Sequence, residues 1–304
     1  MSGVIFIAII FAKIAASFLV AVLVPTSLDT VIWTGIATTI LYAGFFAVFM
    51  FFDRTSDRRD EGIIKRYGLN NKTNPMNWTI ITLLGFICII TFILTQSASI
   101  QFFTLFGYEP PEIDWEIQTF GQYLLLVFAF AVLPGIIEEL LFRGLILHSL
   151  IHLFRGQNQK PGPGPIVLAI ITSSFLFSIF HMSPAQTVYQ FFFGVILACV
   201  YLATGNLIYP IVLHFINNFL VVTYTYITQS TGELIHINWQ VWVTGITLLL
   251  AGTLVICALL KNLKPEATDN PSLKPIDGKT NPRHEALTLT IGIAIALTFW
   301  LTAF

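Results

Sequence analysis

The sequence predicts an all-α fold, a polytopic membrane bundle of about 8–9 transmembrane helices whose N-terminus is cytoplasmic. Charged residues make up only 10% of the 304 residues and apolar residues make up 56%, whereas a water-soluble domain is usually about 25% charged. The mean hydropathy is +0.80, and the apolar residues fall into runs close to the roughly 20 residues that cross a bilayer as a helix. A multi-pass protein of the cell membrane, surrounded by membrane lipid, is therefore expected.

The predicted spans follow one another with connections too short for a soluble domain. The first is interpreted as a retained span, because it lacks the basic leader and the cleavage site of a signal peptide. The spans cover residues 3–25, 28–52, 78–96, 120–140, 165–181, 188–204, 210–228, 239–260 and 285–303. The chain thus divides into three parts: residues 1–119 with the loop 53–77, residues 120–228, and residues 229–304 with the loop 261–284.

The distribution of basic residues predicts the orientation. Lys and Arg concentrate in the loops 53–77, 155–164 and 261–284, while the alternate loops hold none. A nine-span topology places all three basic loops on one side, which the positive-inside rule makes cytoplasmic.

Composition also excludes some functions. The formal net charge is −1, and no basic stripe with interleaved aromatic residues is present, so no nucleic-acid partner is expected. Cys88, Cys199 and Cys257 lie in three different apolar runs without metal-ligand spacing. We interpret them as small packing residues.

Ionisable side chains inside apolar spans are costly to bury and therefore mark candidate sites. Glu138, Glu139 and Arg143 lie in the apolar stretch 120–154, shortly after the helix breaker Pro134. On a helix, Glu139 and Arg143 are close enough for a bidentate pair, whereas Glu138 points elsewhere and has no helical partner. An unpaired carboxylate in an apolar site suits a general base. An interfacial helix end is the plainer alternative.

Two later clusters add histidines and an amide. His181 ends the fifth predicted span, and a lone histidine there is more often an interfacial side chain than a catalytic one. His214 and Asn218 are four residues apart on the seventh span and share a helix face, which a hydrogen-bonded packing pair would also explain. The chain between Glu138 and His181 turns midway, so antiparallel helices that project past the membrane would bring these two residues to one level.

Two further pairs carry less weight. His148 and His152 have a spacing that could bind a metal ion, although an exposed helix face explains them as well. Lys13 and Asp29 in the first two spans could pair with each other or extend to their interfaces.

At the three clusters the sequence resembles the CAAX-protease and bacteriocin-processing family of intramembrane proteases, to which the type II CAAX prenyl endopeptidases belong. The resemblance covers roughly residues 120–228. The family motifs EExxxR, FxxxH and HxxxN correspond, in order, to Glu138-Glu139-xxx-Arg143, Phe177-xxx-His181 and His214-xxx-Asn218.

The resemblance implies an intramembrane endopeptidase acting on a membrane-associated protein or peptide, with or without a prenyl group. By similarity, Glu138 and His181 would activate a water molecule. His214 and Asn218 would donate hydrogen bonds to the developing oxyanion. The supporting residues would be Glu139 and Arg143.

Several alternatives stay open at this point. No cofactor is certain. A zinc-like divalent ion could be held by Glu138, His181 and His214, but no HExxH motif occurs. Metal-dependent and glutamate-only hydrolysis are therefore both compatible with the sequence. A proton-coupled transporter could use the same buried residues as a relay, although no inverted repeat of spans favours it. A catalytically silent immunity or partner protein is the third hypothesis.

Overall fold

The computed structural model describes residues 1–23, 29–54, 62–69, 73–109, 116–155, 162–231, 255–256, 258–265 and 282–304. Within these ranges the chain is helical and contains no strand, so the all-α prediction is confirmed. Seven of the described helices are long and apolar enough to cross a membrane, and Ser2–Ala16 is a shorter apolar stretch. The multi-pass membrane prediction is confirmed, while most of the predicted span 239–260 lies outside the described residues.

Local signals in the sequence set several helix ends. Asn74 caps the helix Pro75–Thr104 by accepting a hydrogen bond from the N–H of Met76, and Thr119 and Gln122 form a capping box at the start of the helix Phe120–Arg155. Gly205 ends the helix Pro184–Thr204 with a φ of 68°, and a left-handed residue at this position is usually glycine. The main helices are α1 (Ser2–Leu23), α2 (Thr30–Arg54), α3 (Ile63–Arg66), α4 (Pro75–Thr104), α5 (Phe120–Arg155), α6 (Pro163–Phe180), α7 (Pro184–Thr204), α8 (Ile208–Thr231) and α9 (Pro282–Leu301).

Helix α5 differs most from its prediction. The predicted span 120–140 continues as a helix to Arg155 and contains two π-helical segments, Phe128–Val132 and Leu140–Leu147. Wide turns of this kind are rare and often lie at functional sites. The second segment begins directly after Glu139, so the two adjacent carboxylates sit at a junction between α-helical and π-helical backbone.

The packing of α5 against α8 positions the site. Pro134 does not break α5, because it follows directly on the π-helical segment Phe128–Val132, and a local π-turn lets a helix in a membrane accommodate the missing N–H of a proline. Next to it, Gly135 touches the α8 backbone: a Cβ there would be 3.2 Å from Phe215 N and 3.3 Å from Ile211 O. The close approach that glycine permits brings α8 alongside the carboxylates. On the other side, α2 packs against α5, and α6 packs along α7.

Candidate active site

Glu139 is the centre of a buried charged network formed with Arg143 and His214. Its Oε1 accepts hydrogen bonds from Arg143 Nη1 and His214 Nδ1, each 2.8 Å long, and all three residues are at most 1% exposed. Arg143 Nη2 donates to the Gly194 carbonyl at 3.1 Å, and the guanidinium carbon lies 4.4 Å from the centre of the Phe177 ring. The pair predicted from helix spacing is present, but it is not bidentate, because the second half of the guanidinium binds α7.

Glu138 is 2% exposed, and its two oxygens have different surroundings. Oε1 accepts a hydrogen bond from the hydroxyl of Tyr42 on α2. Oε2 has no hydrogen-bond partner among the described residues and lies 4.0 Å from His214 Nε2. Glu138 has no partner on its own helix, as predicted, but sequence reasoning missed the partner from α2.

The contacts of His214 fix the roles of its two ring nitrogens. An ionised carboxylate can only accept hydrogen bonds, so His214 Nδ1 carries a hydrogen and donates it to Glu139. The ring is held edge-on between Phe177 and Phe193, with centroid distances of 5.8 Å and 5.5 Å. His214 Nε2 therefore faces Glu138, as an acceptor when the ring is neutral and as a donor when it is an imidazolium.

His181 lies beside the network rather than within it. Its Nδ1 binds the Phe177 carbonyl at 2.8 Å, and because a carbonyl accepts, Nε2 is left as the free acceptor of the neutral ring. The Phe177 ring lies between the two histidines, 4.9 Å from the centre of His181 and 5.8 Å from that of His214. Phe142 packs on Phe177 at 5.1 Å, and no hydrogen bond among the described residues joins His181 to Glu138.

Asn218 ends a second set of contacts, here called the amide chain, that runs through Tyr189 and Asn217. The Tyr189 hydroxyl donates to Asn217 Oδ1 at 2.5 Å, and Asn217 Nδ2 donates to Asn218 Oδ1 at 3.1 Å. Asn218 Nδ2 then donates to the carbonyl of Phe130 at 3.1 Å. A primary amide has two N–H donors, so one hydrogen of Asn218 is not used by this bond. Asn217 was missed by sequence reasoning, although it precedes a predicted residue.

Lys13 and Asp29 do not pair with each other. Lys13 Nζ donates to the carbonyl of Phe180 at 2.6 Å and lies 4.5 Å from the centre of the Phe180 ring. Asp29 accepts the backbone N–H of Val31 at 2.9 Å and the side-chain amide of Gln122. The first span therefore contributes a cation next to His181, while Asp29 caps α2.

The described ranges contain no group of three His, Cys, Asp or Glu side chains placed to hold a metal ion. The predicted ligands Glu138, His181 and His214 therefore do not form such a group, although His214 Nε2 and Glu138 Oε2 are 4.0 Å apart. His148 and His152 have their Nε2 atoms 3.2 Å apart. The prediction that both histidines lie on an exposed helix face is wrong for His152, which is only 8% exposed.

Comparison with known families agrees with this geometry. Residues 120–220 match the family model described as Rce1-like, a type II CAAX prenyl endopeptidase. The similarity to this family thus covers α5, α6, α7 and the first half of α8. The match confirms the resemblance predicted from the three motifs, and it does not extend to α1, α2 or α4. Neither the curated proteins nor the solved structures gave a match.

Proposed function

We propose that this protein is an intramembrane CAAX-type endopeptidase in which Glu138 activates the attacking water. The observation that carries the proposal is the free Oε2 of Glu138, buried and 4.0 Å from His214 Nε2. A buried carboxylate oxygen without a partner is unusual, and although Glu139 Oε2 is another among the described residues, the Glu138 oxygen is the one that faces a histidine nitrogen. An oxygen atom placed beside this 4.0 Å gap can form a hydrogen bond of about 2.8 Å to Glu138 Oε2 and another to His214 Nε2. The oxygen of a water molecule or of the substrate suits this position.

Glu138 would act first as base and then as acid. Its Oε2 takes a proton from the water while the water oxygen forms a bond to the carbonyl carbon of the substrate. The same proton passes to the leaving amine as the carbon–nitrogen bond breaks, so the carboxylate is regenerated. The free Nε2 of His181 is the second acceptor available to orient this water.

The oxyanion would be stabilised from α8. His214 would donate from Nε2 to the oxyanion while Nδ1 remains bound to Glu139, which holds the ring in place as the buried carboxylate of a catalytic triad holds its histidine. Asn218, one turn further along α8, offers its unused amide hydrogen to the same oxygen.

The exposure of the site residues supports a substrate that arrives from one side. Glu138 and His214 are buried, whereas His181 and Asn218 are half-buried. The accessible edge of the site would therefore run along His181 and Asn218, among helices whose apolar faces suit lipid. A membrane-anchored peptide fits this setting better than a freely soluble one.

The test is cleavage of a prenylated peptide ending in a CAAX sequence by the purified protein in detergent, with the unprenylated peptide in parallel. We expect Glu138→Gln to lower the rate by about 10³-fold or more, in the range of general acid–base catalysis. Glu285→Gln is the matched control, because Glu285 is also buried, at 4% exposure, but binds the Ser2 hydroxyl. Cleavage by Glu138→Gln at the wild-type rate would show the assignment to be wrong.

Two measurements on the same preparation decide between the other hypotheses. Absence of cleavage together with a pH-driven flux in proteoliposomes, abolished by Glu138→Gln, would favour the transporter. Metal content and inhibition by a chelator distinguish a metal-dependent site from a glutamate-only site.

A further inference from the structure

We infer that Tyr42, on a helix outside the segment that matches the family model, is a positioning residue for Glu138. The inference rests on the proposed function and deepens it. Tyr42 is 8% exposed, and its hydroxyl donates to Glu138 Oε1 across 96 positions of sequence. This is the only hydrogen bond to Glu138 among the described residues.

Aromatic packing holds the Tyr42 ring independently of Glu138. The ring packs edge-on against Phe45 with a centroid distance of 5.4 Å, and Phe45 packs on Phe180 at 5.5 Å. Phe180 in turn lies beside His181, with ring centres 5.6 Å apart. Because these contacts place the hydroxyl before any proton moves, the donor is preorganised toward one carboxylate oxygen.

The hydrogen bond gives the two oxygens of Glu138 different tasks. A carboxylate can turn about its last torsion and offer either oxygen, since that rotation is soft and roughly two-fold. A donor fixed on Oε1 directs Oε2 toward His214 and the position proposed for the water. A phenol also carries no charge, so Tyr42 itself adds no counter-charge to Glu138, whereas Glu139 is bound to the guanidinium of Arg143.

It follows that residues 120–220 do not contain all the groups that prepare the base. Helix α2 supplies one of them, and its packing against α5 has a chemical consequence as well as a structural one. The position of Tyr42 could not be found from a motif, because none of the three motifs lies on α2.

The test compares Tyr42→Phe with Tyr123→Phe in the full-length protein. Tyr123 is a matched control, because it is also buried and its hydroxyl binds Thr223 at 2.9 Å rather than the site. We expect Tyr42→Phe to lower kcat by about 10- to 100-fold with little change in KM, as for loss of a hydrogen bond to a charged group. The acid limb of its pH–rate profile should move to higher pH, because the lost donor stabilised the ionised carboxylate. Tyr123→Phe should change neither.

Equal kcat and equal pH profiles for the two variants and the wild type, with Glu138→Gln inactive, would overturn the inference while leaving the proposed function intact. A second measurement requires neither activity nor loss of the hydroxyl. 3-Fluorotyrosine placed at position 42 should show a fluorine resonance that shifts when Glu138→Gln is introduced, and the same label at position 123 should not. An unchanged resonance at position 42 would also overturn the inference, whatever the protein hydrolyses.

Discussion

The charged network around Glu139 and the amide chain that ends at Asn218 lie one helical turn apart on α8 but are built differently. The network consists of ionisable groups that are almost wholly buried. The amide chain contains no charge and ends at a half-buried side chain bound to a backbone carbonyl. The network is suited to hold charge in place, and the amide chain is suited to aim a neutral donor.

This difference has an energetic consequence. Removing one member of a buried ion pair leaves a charge without a partner, which costs several times more than losing one neutral hydrogen bond. Substitutions in the network should therefore reduce stability as well as activity, and substitutions in the amide chain should reduce activity with only a small loss of stability.

The largest effect is expected from Arg143→Met, which leaves Glu139 buried without its cation. We expect the free energy of unfolding to fall by about 3–5 kcal/mol, measured by denaturant unfolding in detergent. Adding Glu139→Gln removes the orphaned charge and should recover most of the loss. Stability equal to wild type in Arg143→Met would show that the network is not structural.

Asn218→Ala should have the next largest effect, this time on the reaction. We expect kcat to fall by about 10²- to 10³-fold, as for removal of one oxyanion donor, while the free energy of unfolding changes by only about 1 kcal/mol. Steady-state kinetics and unfolding of the same sample measure both. A raised KM with kcat unchanged would instead assign Asn218 to substrate binding.

The smallest effect is expected from Tyr189→Phe, which removes the first donor of the amide chain. Loss of one neutral hydrogen bond should lower kcat about fivefold, because Asn217 and then Asn218 are less firmly oriented. In the background of Asn218→Ala, the same substitution should have no further effect on kcat. Additive losses in the double variant would show that Tyr189 does not act through Asn218.

Much of the fold could be predicted from the sequence, because apolar runs and helix caps are local. The three motifs indicated the family whose model matches residues 120–220, and helix spacing predicted the pair of Glu139 with Arg143. The contacts of Tyr42 and Lys13 could not be predicted, since they depend on which helices become neighbours. The hydrogen bond of Asn218 to Phe130 could not be predicted for the same reason. The π-helical segments could not be predicted either, because their apolar residues show no sequence pattern that distinguishes them from an α-helix.

The π-helical segment Leu140–Leu147 makes α5 tolerant of a change in length. A π-turn holds more residues than an α-turn, so a single deletion inside this segment could be absorbed by a return to α-helical backbone. Because a π-turn accommodates an extra residue without turning the flanking helix out of phase, Glu138 and Glu139 would keep their neighbours on α2 and α8, and the end of the helix at 148–155 would keep its own. A single-codon deletion in this segment would thus shorten α5 by one residue without changing the phase of that end relative to the carboxylates and without dismantling the site.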